Sequence, residues 1–243
     1  MATSLHADRG RVENQPAYVL HSYAFRETSM VVEIFTRDHG RIALLAKGAR
    51  RPRSALRGVL LAFQPLIVSW SGKNELRILH KADWSGGQPL LQGPALMCGF
   101  YANELLLKLL IRDDAHERLF DRYRAALAAL ANGGEPGVVL REFEKDLLQE
   151  AGYALMLDCE ADSGAAIVAE KTYTYKVERG PVAATGAEPL QLSGRTLIDI
   201  QRGDFSDPVT QLQSKLLMRM LIHHHLGSQR LFTPQLYREL QQI

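Results

Sequence analysis

Residues 29–57 read SMVVEIFTRDHGRIALLAKGARRPRSALR and contain two strand-like segments, a turn and a basic loop. Residues 29–36 are rich in β-branched and aromatic side chains, and residues 41–47 form a second apolar run, as strands do. Between them, RDHG places a glycine where a tight turn needs a positive φ. The stretch therefore predicts a hairpin that leads into a loop at residues 48–57.

The second half of this stretch carries a concentrated positive charge without an acidic residue. Its six basic residues are Arg41, Lys47, Arg50, Arg51, Arg53 and Arg57. Guanidinium groups match the geometry of phosphates, and like charges that are crowded together repel unless a polyanion joins them. The cluster predicts a groove for nucleic-acid phosphates, with Lys73 and Arg77 as outer contributors. A solvated basic loop is the alternative interpretation.

Further strand signals surround the hairpin. Residues 17–25 and 75–81 are short alternating segments, and residues 58–71 form a longer apolar run that Pro65 should interrupt. Residues 71–74 supply another turn. Five short strands within about 70 residues, without an intervening helix, predict a small closed barrel of OB or SH3-like type.

OB-folds bind nucleic acid through a basic groove in which aromatic side chains stack on bases. The aromatic residues available in the predicted barrel are Tyr23, Phe25, Phe35 and Trp70. Alternation alone does not assign each ring to a face, and we expect most of these rings to lie in the core.

Charge is divided unevenly along the 243 residues. Residues 1–83 contain 13 Lys and Arg against 7 Asp and Glu, a balance of +6, whereas residues 84–243 contain 16 against 20, a balance of −4. A basic N-terminal domain followed by an acidic remainder of the chain is expected if one face of the protein binds a polyanion.

The glycine- and proline-rich segment 84–94 predicts a domain boundary, after which the pattern becomes helical. We expect a flexible lead-in at 1–15, an OB-type domain at 16–84 and a helical domain at 94–243 with a small β-containing insert at about 157–192. The fold class is thus α+β. The predicted helices cover residues 94–112, 117–131, 137–151, 193–201, 208–226 and 233 to the end.

The third predicted helix places Arg141 beside an apolar stripe that includes Leu140, Phe143 and Leu147. A basic residue beside an apolar groove suits an acidic peptide that ends in a hydrophobic anchor and a carboxylate. The alternative is an ordinary amphipathic core helix with a solvated arginine.

Enzyme signatures are missing from the sequence, which has no phosphate-binding loop and no GxGxxG, GxSxG or HExxH motif. The run 223–225 is His-His-His, but consecutive helical residues diverge by about 100°, so they should not converge on one metal. We expect no cofactor and no metal. The absence of a leader-like or membrane-spanning apolar run suggests a cytoplasmic protein.

The chain resembles the RecO family of bacterial recombination mediators, with motifs that match in order and spacing over about residues 16–243. The matching pieces are RETS (26–29), GR (40–41), AKGAR (46–50), LRG (56–58), FQPL (63–66), YANELL (101–106), LREFE (140–144), LLQEAGY (147–153) and SGR (193–195). The resemblance is strongest before residue 70.

This resemblance implies an N-terminal OB-fold, a helical domain, binding to single- and double-stranded DNA, and annealing of complementary strands. It also implies partnership with RecR and with the acidic tail of the single-stranded DNA-binding protein SSB, loading of RecA, and association with the nucleoid during repair. Arg141 and its apolar neighbours are our candidates for the tail site. Many members hold a four-cysteine zinc knuckle in the insert, where this chain has only Cys159, so we predict no structural zinc.

Two other functions compete with a DNA mediator. A protein adaptor would use the basic loop to bind an acidic protein, and it would show little strand annealing. An RNA-binding OB-fold factor would discriminate at the 2′-hydroxyl. Catalysis is the least favoured function because no acid–base or metal constellation is present.

Overall fold

The computed structural model describes residues 10–153 and 155–240, without the side chains of 238–240. The predicted lead-in up to residue 9 and the last residues of the predicted final helix lie outside this range. The chain divides into two compact units. Unit 1 comprises the described residues up to Gln92 and the segment Asn103–Ala131, and unit 2 comprises Gly93–Ala102 and the described residues from Asn132 onward.

Unit 1 is built on a closed five-stranded barrel, as predicted. Its strands are β1 (Arg11–Phe25), β2 (Ser29–Thr36), β3 (Gly40–Ala46), β4 (Leu66–Ser71) and β5 (Leu76–Trp84), and a short helix α1 (Leu56–Val59) precedes β4. The order around the barrel is β1-β2-β3-β5-β4, which is the arrangement of an OB-type fold. All pairs are antiparallel except β3 with β5.

Strand β1 is longer than predicted, because it begins at Arg11 and not near residue 17. Arg11 pairs with Ser71 and Val12 with Trp70, so the end of the predicted lead-in takes part in closing the barrel. The polar residues at positions 13–15 conceal this strand in the sequence. Pro65 interrupts the apolar run as predicted, since β4 starts at the residue that follows it.

Helical residues of unit 1 cover the outer face of β1 and β2. Helix α2 (Gly93–Leu109) spans the boundary between the units, and α3 (Glu117–Ala131) lies wholly in unit 1. From α3, Phe120 and Tyr123 pack against Tyr18 and Phe35, with ring centroids 5.3 to 6.2 Å apart. These four rings are fully buried, which explains why residues 103–131 belong with the barrel and not with the remaining helices.

Unit 2 contains the other helices and a small sheet, as the α+β prediction requires. Its elements after α2 are α4 (Pro136–Glu150), β6 (Thr172–Lys176), β7 (Gly180–Ala183), β8 (Leu192–Ser193), α5 (Gly194–Arg202), α6 (Pro208–Leu226) and α7 (Thr233–Leu240). The sheet order is β7-β6-β8, so the predicted hairpin is confirmed and β8 is an addition to it. Helix α6 packs against both α4 and α5.

The helix-capping residues act as the sequence indicates. The Ser193 hydroxyl accepts a hydrogen bond from the Thr196 amide at 3.0 Å, and the Asp207 carboxylate accepts one from the Thr210 amide at 2.8 Å. Gly203 ends α5 with a φ of 74°. No helix among residues 10–153 and 155–240 is long and apolar enough to cross a membrane.

Candidate nucleic-acid interface

The basic loop, defined here as residues 47–57, leaves the barrel at the end of β3. Gly48 turns the chain with a φ of 68°, a conformation that favours glycine. The Arg50 amide then donates to the Thr28 carbonyl at 2.9 Å, and Ala49 is fully buried. The loop is therefore anchored to the β1–β2 turn at its start, and its charged side chains point outward.

Five cations of the basic loop are exposed to solvent. They are Lys47, Arg50, Arg51, Arg53 and Arg57. None of them forms an ion pair with any carboxylate in the part of the chain that the structure describes. An exposed cluster of cations without counter-charges favours an anionic partner.

Arg50 has a second role as a link within the barrel. Its Nη1 donates to the carbonyl oxygens of Arg26 and Glu27, both at 3.3 Å. These bonds hold the guanidinium against the β1–β2 turn, and no carboxylate of the described residues compensates its charge. The loop and the turn therefore form one continuous surface.

A shallow depression of about 290 Å³ opens beside the basic loop. Met30, Ala49 and Leu60 supply an apolar lining, and Arg50 and Arg57 supply the cationic part. Apolar surface next to guanidinium groups suits a ligand that carries both flat rings and phosphates.

Arg41 does not belong to this exposed set. Its Nη2 donates to the Leu110 carbonyl at 3.1 Å, and its Nη1 lies 3.6 Å from the Glu33 carboxylate, which also pairs with Arg112. Burial lowers the pKa of Arg41, while the Glu33 charge opposes this effect. Arg41 therefore holds the α2–α3 connection against the barrel, and we remove it from the predicted phosphate site.

Lys73 lies toward the other end of the barrel strands, and Arg77 lies level with Leu44 within the β3–β5 ladder. Ala43 pairs with Leu76 in the parallel β3–β5 ladder, so Lys73 is level with the start of β3, whereas the basic loop follows the end of β3. At about 3.3 Å per residue, β3 separates the two regions by roughly 20 Å. Arg77 is also paired with Asp113 at 2.5 Å. The sequence order suggested one cluster, but the strand pairing divides it.

The aromatic residues separate into buried and accessible groups. Phe35 and Trp70 are fully buried, as expected for most of these rings, whereas Tyr23 is 49% exposed and Phe25 is partly exposed. The exposed His21 lies two residues before Tyr23 on the same strand face. His21 was not among the residues predicted from the sequence, although the alternation from His21 to Phe25 is a signal that could have identified it.

The apolar groove predicted on α4 is wrong for Phe143 and Leu147. Both side chains are almost completely buried, because the stripe forms the core of unit 2. Leu140 is only partly buried, and the exposed fraction of Arg141 is 8%. The guanidinium of Arg141 donates to Glu144 Oε1 at 2.8 Å and to the Lys215 carbonyl at 3.5 Å.

Glu144 is a buried acid at the centre of this arrangement. Its Oε1 accepts hydrogen bonds from Arg141 and from the Tyr101 hydroxyl, the latter at 2.6 Å. Its Oε2 is buried without a hydrogen-bond partner among the residues described. Burial raises the pKa of Glu144 above its ordinary value, and the nearby Arg141 charge opposes this rise.

An exposed apolar stripe lies on α6, next to the backbone that Arg141 contacts. Val209, Leu212 and Leu216 follow helical spacing, and each is more than 40% exposed. Lys215 and Arg219 are exposed on the same helix. Apolar and basic side chains are therefore accessible together on α6 and not on α4.

The histidine run and Cys159 have separate surroundings in the described structure. His225 stacks on Tyr153 with ring centroids 3.7 Å apart, and His224 lies 3.8 Å from the Glu178 carboxylate. Cys159 is partly exposed with a free thiol. Within the described ranges, no group of three or more His, Cys, Asp and Glu residues could hold a metal ion.

Comparison with known proteins covers nearly the whole chain. The family models described as "Recombination protein O N terminal" and "Recombination protein O C terminal" match residues 11–87 and 91–232. The chain is 55% identical over 242 residues to DNA repair protein RecO of Nitrosospira multiformis, covering 98% of this chain and 100% of that protein. It is 52% identical over 239 residues to DNA repair protein RecO of Aromatoleum aromaticum, again covering 98% and 100%.

Proposed function

The chain belongs to the RecO family of DNA repair and recombination proteins, and from this premise we propose that unit 1 binds single- and double-stranded DNA and anneals complementary strands. The interface is the basic loop with Lys47, Arg50, Arg51, Arg53 and Arg57. The protein acts by binding, without covalent chemistry of its own.

The observation that carries this proposal is the set of five exposed cations without acidic partners within the described structure. Two complementary strands repel each other through their phosphates. Cations that neutralise both backbones at one surface lower this repulsion and raise the local concentration of each strand, so pairing is accelerated.

Annealing of two complementary oligonucleotides tests the proposal. The double variant Arg51→Gln/Arg53→Gln should anneal more slowly than wild type at equal protein concentration. Among the residues that the structure describes, these two side chains make no hydrogen bond that holds the loop, so the variant should remain folded. The matched control Arg122→Gln/Arg124→Gln removes two exposed charges from α3 and should anneal normally. Equal rates for the two variants would place the DNA site elsewhere.

Membership of the family supports a wider mediator role, which needs separate tests. We infer that the protein cooperates with RecR in loading RecA on DNA coated with SSB, at the nucleoid during repair. RecA filament formation on SSB-coated DNA, with and without RecR, measures this activity. An adaptor would bind SSB without annealing DNA, and an RNA factor would prefer RNA over DNA of the same sequence.

We propose that the acidic SSB tail binds in the region where Arg141 contacts α6. Because Phe143 and Leu147 are buried, we assign the apolar part of the tail site to the exposed Leu212 and Leu216. Exposed basic residues lie beside these leucines on α6. This arrangement suits a peptide with a hydrophobic anchor and negative charges.

A fluorescent tail peptide tests this placement. Leu216→Ser and Arg141→Gln should both weaken binding of the peptide measured by anisotropy. Leu236→Ser changes an equally exposed leucine on α7 and serves as the control. Unchanged affinity in both site variants would contradict the assignment, while DNA binding through the basic loop would be unaffected.

A further inference from the structure

An aromatic stripe, defined here as His21, Tyr23 and Phe25, runs along the second half of β1. Alternate residues of a strand share one face, and His21 and Tyr23 are exposed on that face while Phe25 is partly exposed. The His21 and Tyr23 rings are 6.2 Å apart between centroids and differ in plane by only 32°. The guanidinium carbon of Arg26 lies 5.3 Å from the centre of the Phe25 ring and ends the stripe with a positive charge.

A β-bulge in β1 sets the direction of this stripe. Before the bulge, Ala17 and Val19 point into the barrel core. The register with β2 shifts between Val19 and His21, and a shift of one residue moves the following side chains to the opposite face. Without the bulge, the stripe would continue the inward-facing positions and its rings would be buried.

Unit 1 stabilises the bulge with a buried side chain. The Asn103 side-chain amide donates to the carbonyl oxygens of Leu20 at 2.9 Å and of Val19 at 3.3 Å, which are the residues at the register shift. Its own Oδ1 accepts a hydrogen bond from the Tyr123 hydroxyl. The outward orientation of the stripe is therefore built into the packing of the unit.

The stripe ends beside the proposed phosphate site. Arg50 of the basic loop donates to the carbonyl oxygens of Arg26 and Glu27, in the turn that directly follows Phe25. A nucleic-acid strand on the basic loop can thus have its phosphates near Arg50 and its bases over the stripe. Such a pairing of basic groove and aromatic surface is how many proteins bind single strands.

We propose that His21 and Tyr23 are a stacking platform for the unstacked bases of single-stranded DNA, with Phe25 and Arg26 at its edge. The proposal rests on the proposed DNA binding and specifies which form of DNA this surface selects. Bases within a duplex are about 3.4 Å apart along a strand and face one another. Rings 6.2 Å apart on a strand face match bases that have been separated.

Removal of the Tyr23 ring is the direct test. Tyr23→Ala should weaken binding of a single-stranded oligonucleotide about 5- to 140-fold, the effect of losing one stacked base, and leave binding of a duplex unchanged. Tyr23→Phe retains the ring and should bind like wild type. Trp84→Ala removes an exposed ring of β5 outside the stripe and is the matched control.

The salt dependence of binding separates stacking from charge. Tyr23→Ala should lower affinity at every salt concentration with the same log–log slope as wild type, because the number of neutralised phosphates does not change. An oligonucleotide of abasic sites should bind wild type and Tyr23→Ala equally.

The outcomes for this proposal and for DNA binding itself are distinguishable. If wild type binds DNA but Tyr23→Ala binds single strands equally well, the stacking platform is refuted and the basic loop alone is the site. If Tyr23→Ala lowers the affinity for single strands and for duplex to the same extent, the ring has a structural role and the stacking platform is also refuted. If wild type binds no DNA, the proposed function fails first.

Discussion

Neutralising Arg51 and Arg53 should change how DNA affinity depends on salt, and the structure predicts by how much. Each phosphate that a cation neutralises contributes about −0.9 to the slope of log affinity against log salt for duplex DNA, and about −0.7 for single strands. With all five cations of the basic loop engaged, the expected slopes are about −4.5 and −3.5. The double variant Arg51→Gln/Arg53→Gln should reduce them to about −2.7 and −2.1.

The number of cations follows from the structure and differs from the sequence estimate. Eight candidate contacts from the sequence would give a duplex slope of about −7. Arg41 and Arg77 are paired with Glu33 and Asp113, and Lys73 lies at the far end of β3, so five candidates remain. Affinity for duplex should then fall about 500-fold between roughly 50 and 200 mM salt.

Fluorescence anisotropy of a labelled duplex, titrated with protein at several salt concentrations, measures these slopes. Arg122→Gln/Arg124→Gln should retain the wild-type slope although it removes the same net charge. A wild-type slope near −7 would show that the paired arginines reach DNA after all. An unchanged slope in Arg51→Gln/Arg53→Gln would refute the assignment of the interface to this loop.

Three further predictions concern stability. Asn103→Leu should lower the free energy of unfolding by at least about 3 kcal/mol in urea, since two carbonyls and the Tyr123 hydroxyl lose a buried partner. Burial raises the pKa of Glu144, so the folded protein holds that proton more tightly and stability should decline as pH rises above the ordinary value of 4.5. Glu144→Gln should remove this decline in urea unfolding measured across pH, and a decline of equal size in the variant would contradict it. Elemental analysis should find no stoichiometric zinc, and Cys159→Ser with or without a chelator should melt like wild type.

Local signals in the sequence predicted most of the secondary structure. Alternation and turn residues identified β2 with its bounds, and the cap-plus-proline pattern at Asp207 identified the start of α6. These features are determined by residues that are neighbours in the chain, so they can be predicted from a single sequence. Strand β1 was only partly identified, because its first residues are polar and are held by pairing with β4, which lies more than 50 positions away.

The candidate site was less predictable because it depends on distant partners. The partner of Arg77 is Asp113, and nothing near position 77 indicates that the charge is compensated. On α4, an apolar stripe beside an arginine has the same appearance whether it faces a peptide or a core, and packing against α6 decided between them. The clustering of the five cations in the basic loop was visible in the sequence because a compact run of like charges needs no distant information, and their role in binding DNA stays a prediction.

The rings that α3 places over the barrel have a consequence for synthesis on the ribosome. Tyr18 and Phe35 are made early, but their covering partners Phe120 and Tyr123 follow more than 80 residues later. At a translation rate of about 5–20 residues per second, this apolar face remains exposed for roughly 4–17 s before Phe120 and Tyr123 are synthesised. During that interval the nascent barrel exposes an apolar surface, so we expect a chaperone to bind it at this stage of translation. A fragment that stops at the end of β5 should aggregate for the same reason.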